Sequence, residues 1–387
     1  MNRGKKISIA ILTEVLNTHS GSRAPIELSL ALNKLNSKKI ELYLVCFSYK
    51  LDKKLKKKLE SQNIKIFILR VNNLSFLSKL KASLKLFEIF KKNSIDTILF
   101  HGSLPMFLIA RVFKKPIITT YYGTQFNAFE EKFLPNEKIS LFQKLINQLG
   151  NLAIYVFQAV PVLLSNKVVT MTKYGSDECY KLFRRKVGFI YQGADSDSLR
   201  SLKSKVVNKN SQITFISVSR ITPYKGFHIL IKAFNGLQPN KIKRRLIIVG
   251  SSVRKRYLDY LKALGDKNVY FFTDISDKKL ITLYSKSNIY IGADRYLFFG
   301  LPPLEAAKFG IPSILMDYCS AREIVENNET GFVVNSDSEL RNRMTELATN
   351  VKLRLSMGFA AKERTQKLFR WEETAKKYYS LIKNLNS

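Results

Sequence analysis

Short apolar runs alternate with amphipathic stretches along the whole chain, and this alternation limits the fold more than any other feature. The candidate strands are Ile7–Leu12, Ile40–Phe47, Ile64–Leu69, Thr97–Phe100, Ile117–Thr120, Lys167–Met171 and Phe189–Ile190. After a gap come Ile213–Ser217, Leu246–Val249, Val269–Phe272, Ile289–Ile291, Ser313–Leu315 and Phe332–Val334. Continuous apolar strands separated by helix-length segments predict parallel sheets covered on both faces, an α/β class. The gap from Ser196 to Gln212 is polar and charged and divides the series. At 387 residues the chain exceeds one ordinary core. The expectation is two Rossmann-like, doubly wound domains facing a cleft, over 1–198 and 199–370. A C-terminal helix (371–387) would cross back to the first domain. Ligands in such sheets bind beyond the carboxyl ends of the strands.

Composition narrows the class. Hydrophobic residues are 45% and charged residues 25%, as in globular proteins. The cysteines, Cys46, Cys179 and Cys319, are scattered and odd in number, which argues for a reducing compartment. The N-terminal apolar run ends at Thr13 and Glu14, too short for a signal peptide, and reads as a core strand. The longest apolar stretch, Leu152–Leu164, falls short of the ~20 residues of a membrane span and contains Pro161, so no transmembrane helix is expected.

The net charge of +35 draws the chain toward anionic partners. Lysines concentrate in Tyr49–Gln62, where Leu51, Leu55 and Leu59 recur at helical spacing, and in Leu77–Lys92. Each is either a helix with a core-facing stripe and a solvated face, or a basic helix docking on an anionic membrane. No aromatic-interleaved recognition motif accompanies the lysines, so no specific nucleic acid is expected.

Two distant segments carry chemistry. ISVSRITPYKG (Ile216–Gly226) puts two cations, Arg220 and Lys225, just after a strand. GLPPLEAAKFGIP (Gly300–Pro312) opens a helix with the backbone N–H groups of Gly300 and Leu301 and places Glu305 one turn in. Helix N-termini attract anions. If the fold joins the segments, they suit a diphosphate, with the Glu305 carboxylate able to accept hydrogen bonds from a ribose. Taken singly, each residue also fits a bland role on a lysine-rich surface or in a first helical turn.

Six segments, in order, resemble those of nucleotide-sugar glycosyltransferases of the GT-B fold in the retaining family-4 group. They are His19–Leu32, Lys115–Phe126, Asn166–Cys179, Gly188–Leu199, the Arg220/Lys225 loop and the Gly300 helix. The resemblance implies that Arg220 and Lys225 hold the diphosphate and that Glu305 binds the ribose. It also implies that Gly21 and Ser22 bring a helix N-terminus to the phosphates; a plain N-cap by Ser22 is the alternative. The chain departs from the pattern twice. Leu297 stands where the family has the first Glu of its Glu-seven-residues-Glu signature, and Tyr122 stands where a His is common. These departures mark an unusual sugar, a nearby substitute such as Asp294 or Arg295, or lost activity. His101, after a strand, lines the acceptor side or is structural.

The triplet Asp195–Ser196–Asp197 matches a metal-binding pattern of other glycosyltransferase folds but lies in the linker entry, so no metal and no cofactor is expected. The implied reaction moves a sugar, with retention, from a nucleotide-diphosphate sugar to a hydroxyl on a glycan, polysaccharide or lipid-linked acceptor. It would take place in the cytoplasm, with an anionic membrane surface as a further partner. The alternative implied by Leu297 and Tyr122 is a nucleotide-binding scaffold without catalysis.

Overall fold

A computed structural model describes residues 6–17, 23–49, 51–124, 140–194, 212–238, 243–251 and 255–386, without the side chain of residue 143. The strands are β1 (Ile7–Thr13), β2 (Ile40–Phe47), β3 (Lys65–Leu69), β4 (Thr97–His101), β5 (Ile117–Tyr121), β6 (Lys167–Thr170), β7 (Gly188–Phe189), β8 (Ile213–Val218), β9 (Arg244–Val249), β10 (Val269–Phe272), β11 (Ile289–Gly292), β12 (Ser313–Met316) and β13 (Gly331–Val334). Between them run α1 (Arg23–Asn36), α2 (Lys53–Glu60), α3 (Phe76–Ser83), α4 (Leu86–Asn93), α5 (Leu104–Val112), α6 (Leu141–Leu164) and α7 (Lys173–Phe183). Later come α8 (Phe227–Asn235), α9 (Lys255–Leu264), α10 (Asp277–Ser285), α11 (Leu301–Lys308), α12 (Ala321–Ile324), α13 (Asp337–Thr349), α14 (Val351–Leu368) and α15 (Trp371–Asn386). Each predicted strand is present, shifted by no more than a residue or two at its ends.

By its contacts the chain forms two units: Met1–Thr124, Leu152–Gly193 and Arg370–Ser387 in one, Gln125–Asn151 and Ala194–Phe369 in the other. The first holds a sheet in the order β3-β2-β1-β4-β5-β6-β7, the second a sheet in the order β10-β9-β8-β11-β12-β13. All the strand pairs are parallel. The order reverses beside β1 in one sheet and beside β8 in the other, which makes the β1/β4 and β8/β11 carboxyl ends the natural ligand positions.

Strand β1 shows why the runs are unbroken. Side chains alternate between faces. Ile9 and Ile11 pack with Ile26, Leu28 and Leu32 of α1 and with Trp371, Ala375, Tyr378 and Ile382 of α15. Ala10 and Leu12 pack on the opposite face with Ile89 and Phe90 of α4 and Met106 and Phe107 of α5. Both faces are dry, so both parities are apolar. In the second unit, Phe215 of β8, Ile248 of β9 and Ile291 of β11 share a core with α8 and α13.

Helix α2, in the first lysine cluster, has the core-facing stripe. Asp52 caps it by accepting from the backbone N–H groups of Lys54 and Leu55 at 2.9 and 3.0 Å. Leu55 and Leu59 are buried in the first unit's core, so its leucine stripe faces inward and its lysines outward. Helix α6 differs from expectation in the other direction. It begins at Leu141, well before the apolar run at Leu152, and its Lys144–Leu164 portion is long and apolar enough to cross a membrane by length and composition.

Candidate functional site

The second unit ties the Arg220/Lys225 loop to Ala293–Arg295, the stretch that leads from β11 toward the Gly300 helix. The chain leaves β8 at Val218 and passes through Arg220 into a short 3-10 turn, Pro223–Lys225. Gly226 ends this turn with φ +66 and starts α8. A Cβ there would lie 2.0 Å from the carbonyl oxygen of Ala293, so only glycine permits both the left-handed backbone and the approach of the loop to the end of β11. The backbone N–H of Arg295 donates to the Tyr224 carbonyl at 2.9 Å and ties the loops.

Around this junction the cations are held rather than loose. The Lys225 ammonium pairs directly with the Asp294 carboxylate, and both side chains are largely buried. The same ammonium lies 5.0 Å from the centre of the Tyr224 ring. Arg220 is exposed, and its Nη2 donates to the Tyr224 hydroxyl at 2.7 Å. One tyrosine therefore positions both cations. Sequence reading missed Tyr224, because an aromatic inside a Pro-Tyr-Lys turn carries no signal of its own.

Helix α11 starts at Gly300, whose φ of +82 again demands glycine. A side chain there would also crowd Leu297, Pro303 and Ile324. Pro302 and Pro303 fill the first turn and have no N–H, so the anion-facing donors of this end narrow to Gly300 and Leu301. Glu305 is buried, and its Oε2 accepts from the Tyr284 hydroxyl at 3.2 Å. Tyr284, at the end of α10, also donates to the Pro302 carbonyl at 3.3 Å and stacks on Phe309. Tyr284 too was missed; only its place on a neighbouring helix reveals it.

Leu297 is buried, and its carbonyl accepts from the Ser320 hydroxyl at 2.5 Å. The leucine fills packing space where the family pattern has a polar hydrogen-bonding group. Asp294, also buried, is the carboxylate that stands nearest in sequence on this segment, and it is engaged with Lys225.

In the first unit, His101 ends β4 opposite Thr13 of β1, at that sheet's reversal point. Its Nδ1 lies 2.5 Å from the Tyr122 hydroxyl. Its Nε2 is buried with no hydrogen-bond partner among the described residues. Burial pushes the imidazole down to about 3, so it is neutral at physiological pH. Burial first, and then neighbouring Tyr378, holds the Tyr122 phenol well above its ordinary value, against a hydrogen bond from Gln192. The pair offers neutral hydrogen-bonding groups and no charge.

Gly21, Ser22 and the triplet Asp195–Asp197 lie outside the described residues. Among the described residues no three His, Cys, Asp or Glu side chains group as a metal site.

Two family models match in tandem: glycosyl transferases group 1 over residues 200–364, and glycosyl transferase 4-like over 9–153. The capsular polysaccharide biosynthesis glycosyltransferase CapM of Staphylococcus aureus is 27% identical over 198 residues, 49% of this chain. The match spans about half (51%) of that relative's length. Among solved structures, a glycosyltransferase from Rickettsia africae superposes with a TM-score of 0.74 at 18% identity, covering 98% of each chain. HepE of Anabaena, in complex with UDP and glucose, superposes with a TM-score of 0.70 at 16% identity, covering 98% of this chain and 100% of HepE. The fold is GT-B, and the matches support a glycosyltransferase.

Proposed function

We propose that this GT-B glycosyltransferase moves a hexose from a nucleotide-diphosphate sugar to a hydroxyl acceptor, a glycan, polysaccharide or lipid-linked sugar, with retention of configuration. The observation that carries the reading is the tie of the Arg220, Tyr224 and Lys225 loop after β8 to Asp294 after β11, on the stretch that runs on to the Gly300 helix start. The two cations and the Gly300 and Leu301 N–H groups would hold the diphosphate, and Glu305 the ribose hydroxyls. HepE, of the same fold, binds UDP, which supports a nucleoside diphosphate here.

As the bond to the sugar breaks, negative charge builds on the departing diphosphate. Fixed cations and N–H dipoles stabilise it without reorganising, and losing one such donor elsewhere costs ~10²–10³ in rate. The departing phosphate oxygen takes the acceptor hydroxyl's proton, so no protein nucleophile is needed. Neutral His101 and Tyr122 would position a sugar hydroxyl on the acceptor side. No metal is assigned to the step, and the setting is cytoplasmic, peripheral on the inner face of a membrane. CapM, a capsular polysaccharide glycosyltransferase, favours a polysaccharide acceptor.

The test is incubation with a panel of nucleotide sugars and acceptors. Acceptor-dependent release of free nucleotide, abolished in Arg220→Ala and Lys225→Ala, is expected. Nucleotide binding without turnover for every donor would replace this reading with that of a non-catalytic scaffold, the role suggested by the leucine at 297.

A further inference from the structure

Only one of the two ring nitrogens of His101 has a partner. Nδ1 lies 2.5 Å from the Tyr122 hydroxyl, while Nε2 is buried and unpaired among the described residues. A neutral imidazole carries a single N–H, so the contact with Tyr122 decides what Nε2 can offer. With the proton on Nδ1, Nε2 is a bare acceptor. With Nδ1 accepting from the phenol, Nε2 carries the hydrogen and is a donor.

The surroundings of Tyr122 select the second state. Gln192, buried just after β7, gives the phenol a hydrogen bond from its side-chain amide. An oxygen that already accepts one hydrogen bond is a weaker target for another, whereas the phenol's own O–H still needs an acceptor. His101 Nδ1 is that acceptor, at a separation typical of an O–H donor. Neighbouring Tyr378 of α15 does not compete, because its hydroxyl is bonded to Thr120 Oγ1 at 2.7 Å. The relay therefore runs one way, from the Gln192 amide to the Tyr122 oxygen and from the Tyr122 O–H to Nδ1. All of its members belong to the first unit.

We infer that Gln192 is a positioning residue that fixes His101 in its Nε2–H form, and that this N–H donates a hydrogen bond to an oxygen of the acceptor sugar. A nitrogen that already bears its hydrogen cannot take the nucleophile's proton. A hydrogen bond into the attacking lone pair would also weaken the nucleophile. The oxygen held is therefore a neighbour of the reacting hydroxyl, not the reacting one. A buried N–H left unpaired is costly, so the site discriminates against a sugar that lacks an oxygen at that position. The inference rests on the glycosyltransferase reading for the ligand, but the position of the proton on His101 can be read without any reaction.

The experiment is nitrogen NMR of the full chain with isotope-labelled histidine. The chain has three histidines, and His101→Gln identifies the signal of interest by its loss. Wild type should show His101 protonated at Nε2, with Nδ1 bare. Gln192→Glu replaces the amide with a carboxylate that accepts from the Tyr122 hydroxyl, so the His101 proton should move to Nδ1. Gln192→Leu, the second variant should the glutamate disturb folding, should leave a mixture of the two forms. With the nucleotide sugar and acceptor that turn over, Gln192→Glu should raise KM for the acceptor about tenfold and leave UDP affinity as in wild type. Protonation at Nδ1 in wild type would overturn the inference. So would a proton position that both Gln192 variants leave unchanged, or an acceptor KM that ignores a moved proton. The Nε2–H form with no turnover for any donor would uphold the assignment at His101 and strike the glycosyltransferase reading instead.

Discussion

The carboxyl ends of the two sheets are built in opposite electrostatic styles. At the end of β8 and β11, two cations sit on one tyrosine and a carboxylate holds one of them. At the end of β4 and β5, an imidazole and a phenol meet, and burial keeps both neutral. The first arrangement suits a ligand whose charge grows during a reaction. The second suits a hydroxyl, which needs a donor and an acceptor and would be misplaced by a fixed charge. On the proposed reading, the charged end would handle the leaving group and the neutral end the acceptor hydroxyl.

The largest effects should come from removing charge. Arg220→Ala and Lys225→Ala are expected to lower kcat by at least ~10² in a nucleotide-release assay. Lys225→Ala should also lower the melting temperature, because Asp294 is left buried without its partner. Adding Asp294→Asn should restore melting but not turnover. If turnover returns as well, Lys225 serves the fold rather than the diphosphate.

On the neutral side, Tyr122→Phe and His101→Gln should each lower kcat/KM for the acceptor about tenfold, the scale of a lost buried hydrogen bond, and leave nucleotide affinity unchanged. A change in nucleotide affinity instead would erase the contrast. Tyr224→Phe is a smaller perturbation: it keeps the ring under Lys225 and removes only the hydroxyl that takes Arg220's hydrogen bond. A loss in kcat of about threefold to tenfold is expected, and rescue of that loss by no other single change at the loop would fit a positioning role.

The gentlest test is pH. His101 falls to about 3 by burial, and His228, beside the Tyr257 hydroxyl, to about 4 by burial and then by Arg295 and Lys232. Unfolding returns both imidazoles to about 6.5, where they bind protons more readily. Stability should therefore rise with pH between about 4 and 6.5 and level off above. Thermal melts of His101→Gln should show a flatter rise. An unchanged slope would mean that the imidazole is not held neutral.

The sheets were legible because their strands are buried on both faces, which leaves an unbroken apolar run for each. The Arg220/Lys225 loop and the Gly300 helix start were legible because their glycines and charges follow strand ends directly. Tyr224, Tyr284 and the tie between Lys225 and Asp294 were not, since these are contacts between segments far apart in sequence. The true length of α6 escaped for a different reason. Asn147, Gln148, Gly150 and Asn151 interrupt the apolar run in sequence, while the stripe survives only when read at helical spacing.

Helix α15 completes the core of the first unit, yet the ribosome makes it after every strand of the second. Until then, the flank of β1 carrying Ile9 and Ile11 waits without Trp371, Tyr378 and Ile382 to cover it. The nascent chain therefore carries an unfinished, sticky domain while the second unit is being made. Such intermediates invite chaperone capture, and a stop codon just ahead of Trp371 would cost the cell the first domain although the lesion lies beyond the second.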